Sequence, residues 1–322
     1  MTYSQGSLIV ATDYNGFVND TVGANVNNIW STGATDAGYG QTAISTVSAA
    51  GTITATQWAS LVNNLSSIAS HQGTTITART APVAADTINI LAALNTDLTN
   101  CTTNRGNAVA NGTQYTGWTG TNSVTGGKSG ANWSITFTNT VTFASAAAAR
   151  YFFNAGGRVK IDVAKSSTGA TGDPEWNDLA TTLCGDIYIT GGTATQTISG
   201  SSYTGTTKTG GTGTPTTLAT TTGWYDLTAG AGATIVYKQF ADTSPYTGNY
   251  IQHSIAKGSS SDTLVITSLW QNTDSDAITG GTAPTAATPG TAPCTIVTYF
   301  PPSSTYLTTA AWGTPLVAAT VA

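Results

Sequence analysis

Residues 133–163 read WSITFTNTVTFASAAAARYFFNAGGRVKIDV, and three kinds of local order follow one another within them. In the first part Trp133, Ile135, Phe137, Val141 and Phe143 all fall on alternate positions, the period of a strand with one buried face. Ser145 to Asn154 is rich in alanine, the strongest helix former, and Gly156 and Gly157 close it by letting the chain turn sharply. Strand character then resumes over Arg158 to Ala164. A strand, a short helix and a second strand within one compact run predict mixed α and β structure with tight connections.

Toward the C-terminus the same alternation recurs in short runs separated by turn residues. The predicted strands are Asp186 to Thr190, Thr193 to Ile198, Trp224 to Thr228, Ala233 to Phe240, Tyr250 to Ala256, Thr263 to Trp270 and Cys294 to Phe300. A second short helix is predicted over Pro174 to Leu183, with Asp173 as N-cap. The low-complexity stretches Gly205 to Thr222 and Thr279 to Pro293 read as long surface loops.

Toward the N-terminus the period changes to that of helices. Phe17, Val18, Val22, Val26, Ile29 and Trp30 form a stripe within Asp13 to Trp30, and Trp58, Leu61, Val62, Leu65, Ile68 and Ala69 form one within Thr54 to Ser70. Thr54 or Thr56 is placed to cap that second helix and Gly73 to stop it. Ile88, Leu91, Leu94 and Leu98 mark a third helix over Ala84 to Cys101. The expected fold is therefore α+β: a small helical N-terminal region, residues 1–110, then a mainly antiparallel β-sandwich-like body, residues 111–322, containing two short helices.

Charged residues make up 8% of the 322-residue chain while hydrophobic ones make up 39%; an ordinary soluble domain carries roughly 25% charge. Eight Trp, thirteen Tyr and seven Phe argue for packed cores in place of disorder. A surface of Thr, Ser, Asn and Gly has little long-range repulsion and tolerates copies of itself, so self-association is expected. The ten basic residues are scattered and the net charge is −5, which leaves nucleic-acid binding without its electrostatic drive. No stretch approaches the roughly 20 apolar residues of a membrane span, and the N-terminus lacks a signal-peptide pattern, so folding in a cytoplasm is expected.

Chemistry-bearing patterns are sparse. His71 and His253 lie in no metal or nucleophile spacing, and Cys101, Cys184 and Cys294 are odd in number and far apart, which reads as small buried hydrophobes. Glu175 sits with Asp173 and Asp178 at a predicted helix start, where carboxylates serve the helix dipole. Asp274 and Asp276 read as turn residues, with calcium binding as the rival reading. Trp118, Trp224, Trp270 and Trp312 could stack on sugar rings, although core packing is the simpler account. The chain is expected to be no enzyme, with no catalytic residue, metal ligand or cofactor site.

Three strings of residues stand out as architectural. The first runs from Asp13-Tyr14-Asn15 through Ile29-Trp30, Gly38-Tyr39-Gly40-Gln41, Ile53-Thr54-Ala55 and Gln57-Trp58 to His71-Gln72-Gly73. The second is Ala149-Arg150-Tyr151-Phe152-Phe153-Asn154-Ala155-Gly156-Gly157, in which Arg150 is expected to pair with an acid such as Asp162 or Asp186. The third is Asp173-Pro174-Glu175-Trp176-Asn177-Asp178-Leu179. Together they resemble a group of virion structural proteins of tailed phages, notably contractile-tailed phages of cyanobacteria. That resemblance implies a structural part of a tail, baseplate, collar or fibre, located in the virion and assembled in the host cytoplasm. It implies a homo-oligomer, such as a trimer or a ring, bound to other virion proteins. Alternatives in the same setting are a receptor-binding module for host surface glycans and a head decoration protein. The structural residues it singles out are Tyr39, Trp58, Arg150, Tyr151, Phe152, Phe153, Asn154, Gly156, Gly157 and Trp176.

Overall fold

Thr54 opens the longest helix with a reciprocal cap: its Oγ1 accepts from the Gln57 amide at 3.3 Å, and Gln57 Oε1 accepts from the Thr54 amide at 2.8 Å. Gly73, at φ 70°, closes that helix in the left-handed region. The computed structural model describes residues 9–19, 24–84, 93–113, 119–120, 123–125, 132–165, 173–273 and 293–322. Its helices are α1 (Ala11–Val18), α2 (Val26–Trp30), α3 (Ala55–Gln72), α4 (Leu94–Thr103), α5 (Ala146–Asn154) and α6 (Asp173–Asp178). Its strands are β1 (Thr119–Gly120), β2 (Ser123–Thr125), β3 (Ser134–Thr142), β4 (Arg158–Asp162), β5 (Asp186–Ile189), β6 (Gln196–Ile198), β7 (Ser201–Tyr203), β8 (Thr206–Thr209), β9 (Thr217–Leu218), β10 (Thr234–Phe240), β11 (Tyr250–Lys257), β12 (Thr263–Gln271), β13 (Pro293–Phe300) and β14 (Leu316–Val321).

The strands form a seven-stranded sheet in the order β1-β14-β3-β12-β11-β10-β9, a five-stranded sheet β2-β13-β4-β5-β8, and the hairpin β6-β7. Every pairing is antiparallel except β1 with β14. The fold is thus α+β with a sheet-rich body. Alternation decides which face is buried: Ile135, Phe137 and Val141 on β3 and Leu264, Ile266 and Trp270 on β12 join one hydrophobic cluster with Val159, Ile161, Ile187 and Ile189 of the second sheet. The same cluster includes Trp58, Leu61, Leu65 and Ile68 of α3, so one core runs across residue 110.

Burial stabilises each such side chain by about 1.5–3 kcal/mol. By contrast the ion pairs among the described residues are Arg79–Asp97, Arg150–Asp36 and Lys160 with Asp162 and Asp186. Arg150–Asp36 lies at the surface, where a pair contributes about 0–1 kcal/mol, and Arg79–Asp97 is buried, where the cost of desolvating both charges offsets much of their attraction. Packing therefore dominates, as a chain with few charges requires.

Between α2 and α3 the backbone over residues 39–53 is neither helix nor strand, yet its polar groups are met by side-chain amides. Asn15 Nδ2 donates to Val47 O at 2.8 Å while its Oδ1 accepts from Val47 N at 2.8 Å. Asn27 grips Ile44 in the same two-point way, at 2.9 and 3.0 Å. Gln41 reaches across the chain to grip Thr308, donating to its carbonyl at 3.1 Å and accepting from its amide at 2.8 Å. Each amide imitates a neighbouring strand, and none adds a charge to the interior.

Several expectations change. The single helix over Asp13 to Trp30 is two helices, α1 and α2, with residues 20–23 outside the described set. The third helix is described only from Leu94. The helix over Pro174 to Leu183 begins at Asp173 and widens into a π-turn over Leu179–Cys184. The strand over Trp224 to Thr228 is a tight 3-10 turn, Trp224–Asp226, because the buried pair Trp224 and Leu227 follows a three-residue spacing, not alternation. Within the loop expected over Gly205 to Thr222 lie β8 and β9, since its β-branched threonines pair with β5 and β10. Cys101 and Cys184 are free and buried, and Trp224, Trp270 and Trp312 are core residues. Asp274 and Asp276, Trp118 and all but the last residue of the stretch Thr279 to Pro293 lie outside the described residues.

Candidate functional site: the seam between helices and sheets

The second string forms α5 because Ser145 Oγ accepts from the Ala148 amide at 3.0 Å and four alanines follow without branching at Cβ. The helical period then sends its last residues to two sides. Phe152 and Phe153 go into the core, where Phe153 stacks on Trp224 with ring centres 5.5 Å apart and meets Phe143 at 5.9 Å. Arg150, Tyr151 and Asn154 go to the other side, where they receive residues 32–40.

Asn154 is the centre of that seam. Its Nδ2 donates to Asp36 O at 2.8 Å and Gly38 O at 2.7 Å, and its Oδ1 accepts from the Tyr225 hydroxyl at 2.5 Å. One amide therefore joins the N-terminal region, α5 and the turn after Gly223. Tyr151 lies flat against Gly40, where a Cβ would fall 2.3 Å from the ring at a backbone φ of +69°, so only glycine fits. Gly156 turns the chain toward β4, and Gly157 is closed to any side chain by the Phe152 ring, 2.6 Å from where a Cβ would stand. Arg150 does not pair with Asp162 or Asp186, as the sequence led us to expect; its partner is Asp36, 3.9 Å away at the surface, with Thr35 O accepting at 3.3 Å. Lys160 holds both other acids at 3.3 Å, because alternation along β4 puts it and Asp162 on one face.

On the other flank of the seam, His71 Nε2 donates to Ala155 O at 3.1 Å and its ring stands edge-on to Tyr39 at 5.3 Å. The buried Tyr39 hydroxyl donates to Arg105 O at 2.7 Å and accepts from Gln72 Nε2 at 2.8 Å. Burial holds the His71 pKa down at about 4 against the raising effect of its bond to Ala155. Tyr39, Arg150, Tyr151, Phe152, Phe153, Asn154, Gly156 and Gly157 are thus brought together. Trp58 and Trp176 are not: Trp58 packs edge-on to Tyr14 at 5.2 Å, and Trp176 stacks on Trp270 at 5.5 Å in the sandwich core.

As chemistry, the seam is a clamp. Its polar groups face backbone carbonyls of the same chain, and its rings are packed. A nucleophile-and-base geometry does occur elsewhere, where His253 Nδ1 lies 2.9 Å from Ser268 Oγ. Both residues are sealed, at 1% and 0% exposure, with the Tyr237 ring stacked on the imidazole at 5.4 Å. Substrate has no route to that pair, and burial lowers the His253 pKa to about 3. Among the described residues no group of three or more His, Cys, Asp or Glu is placed to hold a metal ion, and no helix is long and apolar enough to cross a membrane.

Replacing Asn154 with leucine would leave two carbonyls unmet at the seam, while the Tyr225 hydroxyl keeps its bond to Arg150 O at 3.1 Å. The expected loss is about 2–3 kcal/mol of unfolding free energy by urea titration; a change below about 0.5 kcal/mol would remove Asn154 from the centre of the clamp.

Asn15 and Gln41 stand in the first string, but their backbone contacts, like those of Asn27, are not legible in the sequence, because an amide that binds backbone leaves no periodic trace. No family model, curated protein or solved structure matches the chain.

Proposed function

We propose that the chain is a non-enzymatic structural component of a tailed-phage virion, of tail, baseplate, collar or fibre type, that works by associating with copies of itself and attaching to the particle. The observation that carries the self-association is the outward face of the seven-stranded sheet. Thr138 and Thr140 of β3, Val265 and Thr267 of β12, Ser254 of β11 and Ala318 of β14 lie side by side on it, opposite the core-facing set. The charge on this face is Lys238, and its Nζ is drawn 3.6 Å from the Tyr250 ring centre.

Five strands at ~4.8 Å spacing and eight residues at ~3.4 Å span roughly 650 Å² before side-chain relief is counted. A standard interface buries about 800 Å² per partner. A face of that extent without opposed charges is complementary to its own copy, which favours a second copy over a strongly charged partner. Placement on a phage particle is supported by the three strings, which build the seam and the stacked tryptophans.

Sedimentation of the purified chain at micromolar concentration is expected to give an oligomer. Thr267→Glu, which puts a carboxylate in the middle of the face, is expected to return it to monomers with an unchanged circular dichroism spectrum. Antibody to the chain is expected to decorate virions in electron micrographs. A monomeric wild type, or undecorated virions, would sink the respective half of the proposal.

A further inference from the structure

Arg158 starts β4 on the face opposite the core, since Val159 and Ile161 are its core-facing neighbours. It is 2% exposed. Its guanidinium carbon lies 4.5 Å from the ring centre of Tyr203, 4.8 Å from that of Phe300 and 5.6 Å from that of Tyr188. Among the described residues it has no ion pair, and its Nε is sealed from solvent with no hydrogen-bond partner. The acids on the same sheet face, Asp162 and Asp186, are both taken by Lys160.

A guanidinium offers five N–H donors in a planar fork, and burying it without an anion is unfavourable. The three rings offset part of that cost through their faces, but a ring face cannot accept five donors in the plane of the fork. The rings do something else: they fix the plane. A planar cation held between aromatic walls with its Nε donor unused is already arranged for two parallel bonds to a carboxylate. Tyr203 is the wall that belongs to neither large sheet: it ends the hairpin β6-β7, which is joined to the rest of the chain by the bridge between Ala108 and Ile198 and by hydrogen bonds to Asn107 and Phe153.

We propose that the Arg158 cage receives a carboxylate, which enters past Tyr203 and binds the guanidinium fork end-on. The carboxylate is either a small free one or an acidic side chain of a second copy; each copy carries fifteen Asp and Glu against ten Lys and Arg. The site is independent of the clamp and of the phage reading.

The test uses the wild-type chain first. It has four arginines, Arg79, Arg105, Arg150 and Arg158, so four Nε–H signals are expected in a nitrogen-15 correlation spectrum, the Arg158 signal being the one missing from Arg158→Lys. Succinate is titrated at constant ionic strength against chloride. The expected result is a saturable shift of the Arg158 signal with succinate and not with chloride, with apparent affinity at least about 10-fold weaker in Arg158→Lys by calorimetry. Tyr203→Ala opens the cage while keeping the cation, and should speed exchange at that signal. If the donor is instead a second copy, the Arg158 signal of the concentrated protein is already shifted, moves on dilution, and succinate lowers the sedimenting mass. Either pattern supports a carboxylate site and identifies its source. A signal indifferent to succinate, chloride and protein concentration overturns the proposal, and so does an equal response to both anions.

Discussion

Phe153→Ala is expected to cost about 3–5 kcal/mol of unfolding free energy, the range for removing a fully buried ring whose site cannot collapse. Phe153 is completely buried and meets Phe143, Phe152, Trp224 and Tyr225 with ring centres 5.1–6.4 Å apart. Those four rings belong to the residue after β3, to α5 and to the turn after Gly223, so no single element can move in to fill the space. Against a total of about 5–15 kcal/mol for a folded domain, the loss would leave the variant near its threshold. Urea unfolding followed by circular dichroism is the measurement, with a lower midpoint and an unchanged slope expected. Tyr151→Phe is the contrast, since it removes only the surface bond from the Tyr151 hydroxyl to Thr32 Oγ1 at 3.3 Å. That change should cost below about 1 kcal/mol. If the two substitutions cost the same, the aromatic string would not be acting through packing.

The contrast between those two residues also explains which parts of the fold were legible in the sequence. Phe153 and the alternating strands β3, β11 and β12 announce themselves, because burying one face writes a period into the chain. Helix α3 does the same and adds its cap at Thr54 and its stop at Gly73. Strands β8 and β9 were hidden inside Thr and Gly repeats, whose low complexity imitates a loop even though threonine favours extended backbone. The turn at Trp224 read as a strand because one large aromatic beside a tyrosine has no period to resolve. Long-range partners were the least visible. Asn154 and residues 36–38 are 116–118 positions apart, and Gln41 and Thr308 are 267 apart, so only the folded chain brings them together. The same limit misassigned Arg150 to acids nearby in sequence when its partner was Asp36. The Arg158 cage was likewise out of reach, since its rings come from β5, β7 and β13.

Acid is expected to destabilise the protein before its carboxylates are protonated, and the two histidines set the window. An unfolded imidazole titrates near 6.5, whereas burial holds His71 at about 4 and His253 at about 3 in the folded chain. Between those limits the unfolded state binds more protons, so stability rises with pH and is lost as pH falls from about 6.5 toward 4. Above pH 7 both states are neutral at these sites and no dependence remains. Each imidazole contributes a slope of about 1.4 kcal/mol per pH unit, so lowering the pH from 7 to 5 should cost roughly 4 kcal/mol for the pair. Asp186 acts in the opposite sense: burial raises its pKa, and Lys160 offsets part of that shift. Half-buried and ion-paired, it is the smaller effect in this range. Urea midpoints measured at half-unit steps from pH 8 to 5 would trace the curve. His71→Gln keeps a donor toward Ala155 O and cannot take up a proton, so it should remove about half of the slope while leaving the stability at pH 8 within about 1–2 kcal/mol of wild type. An unchanged slope in that variant would mean that His71 is reached by solvent at the seam, and the clamp between α3 and the turn after α5 would then be looser than the bond to Ala155 implies.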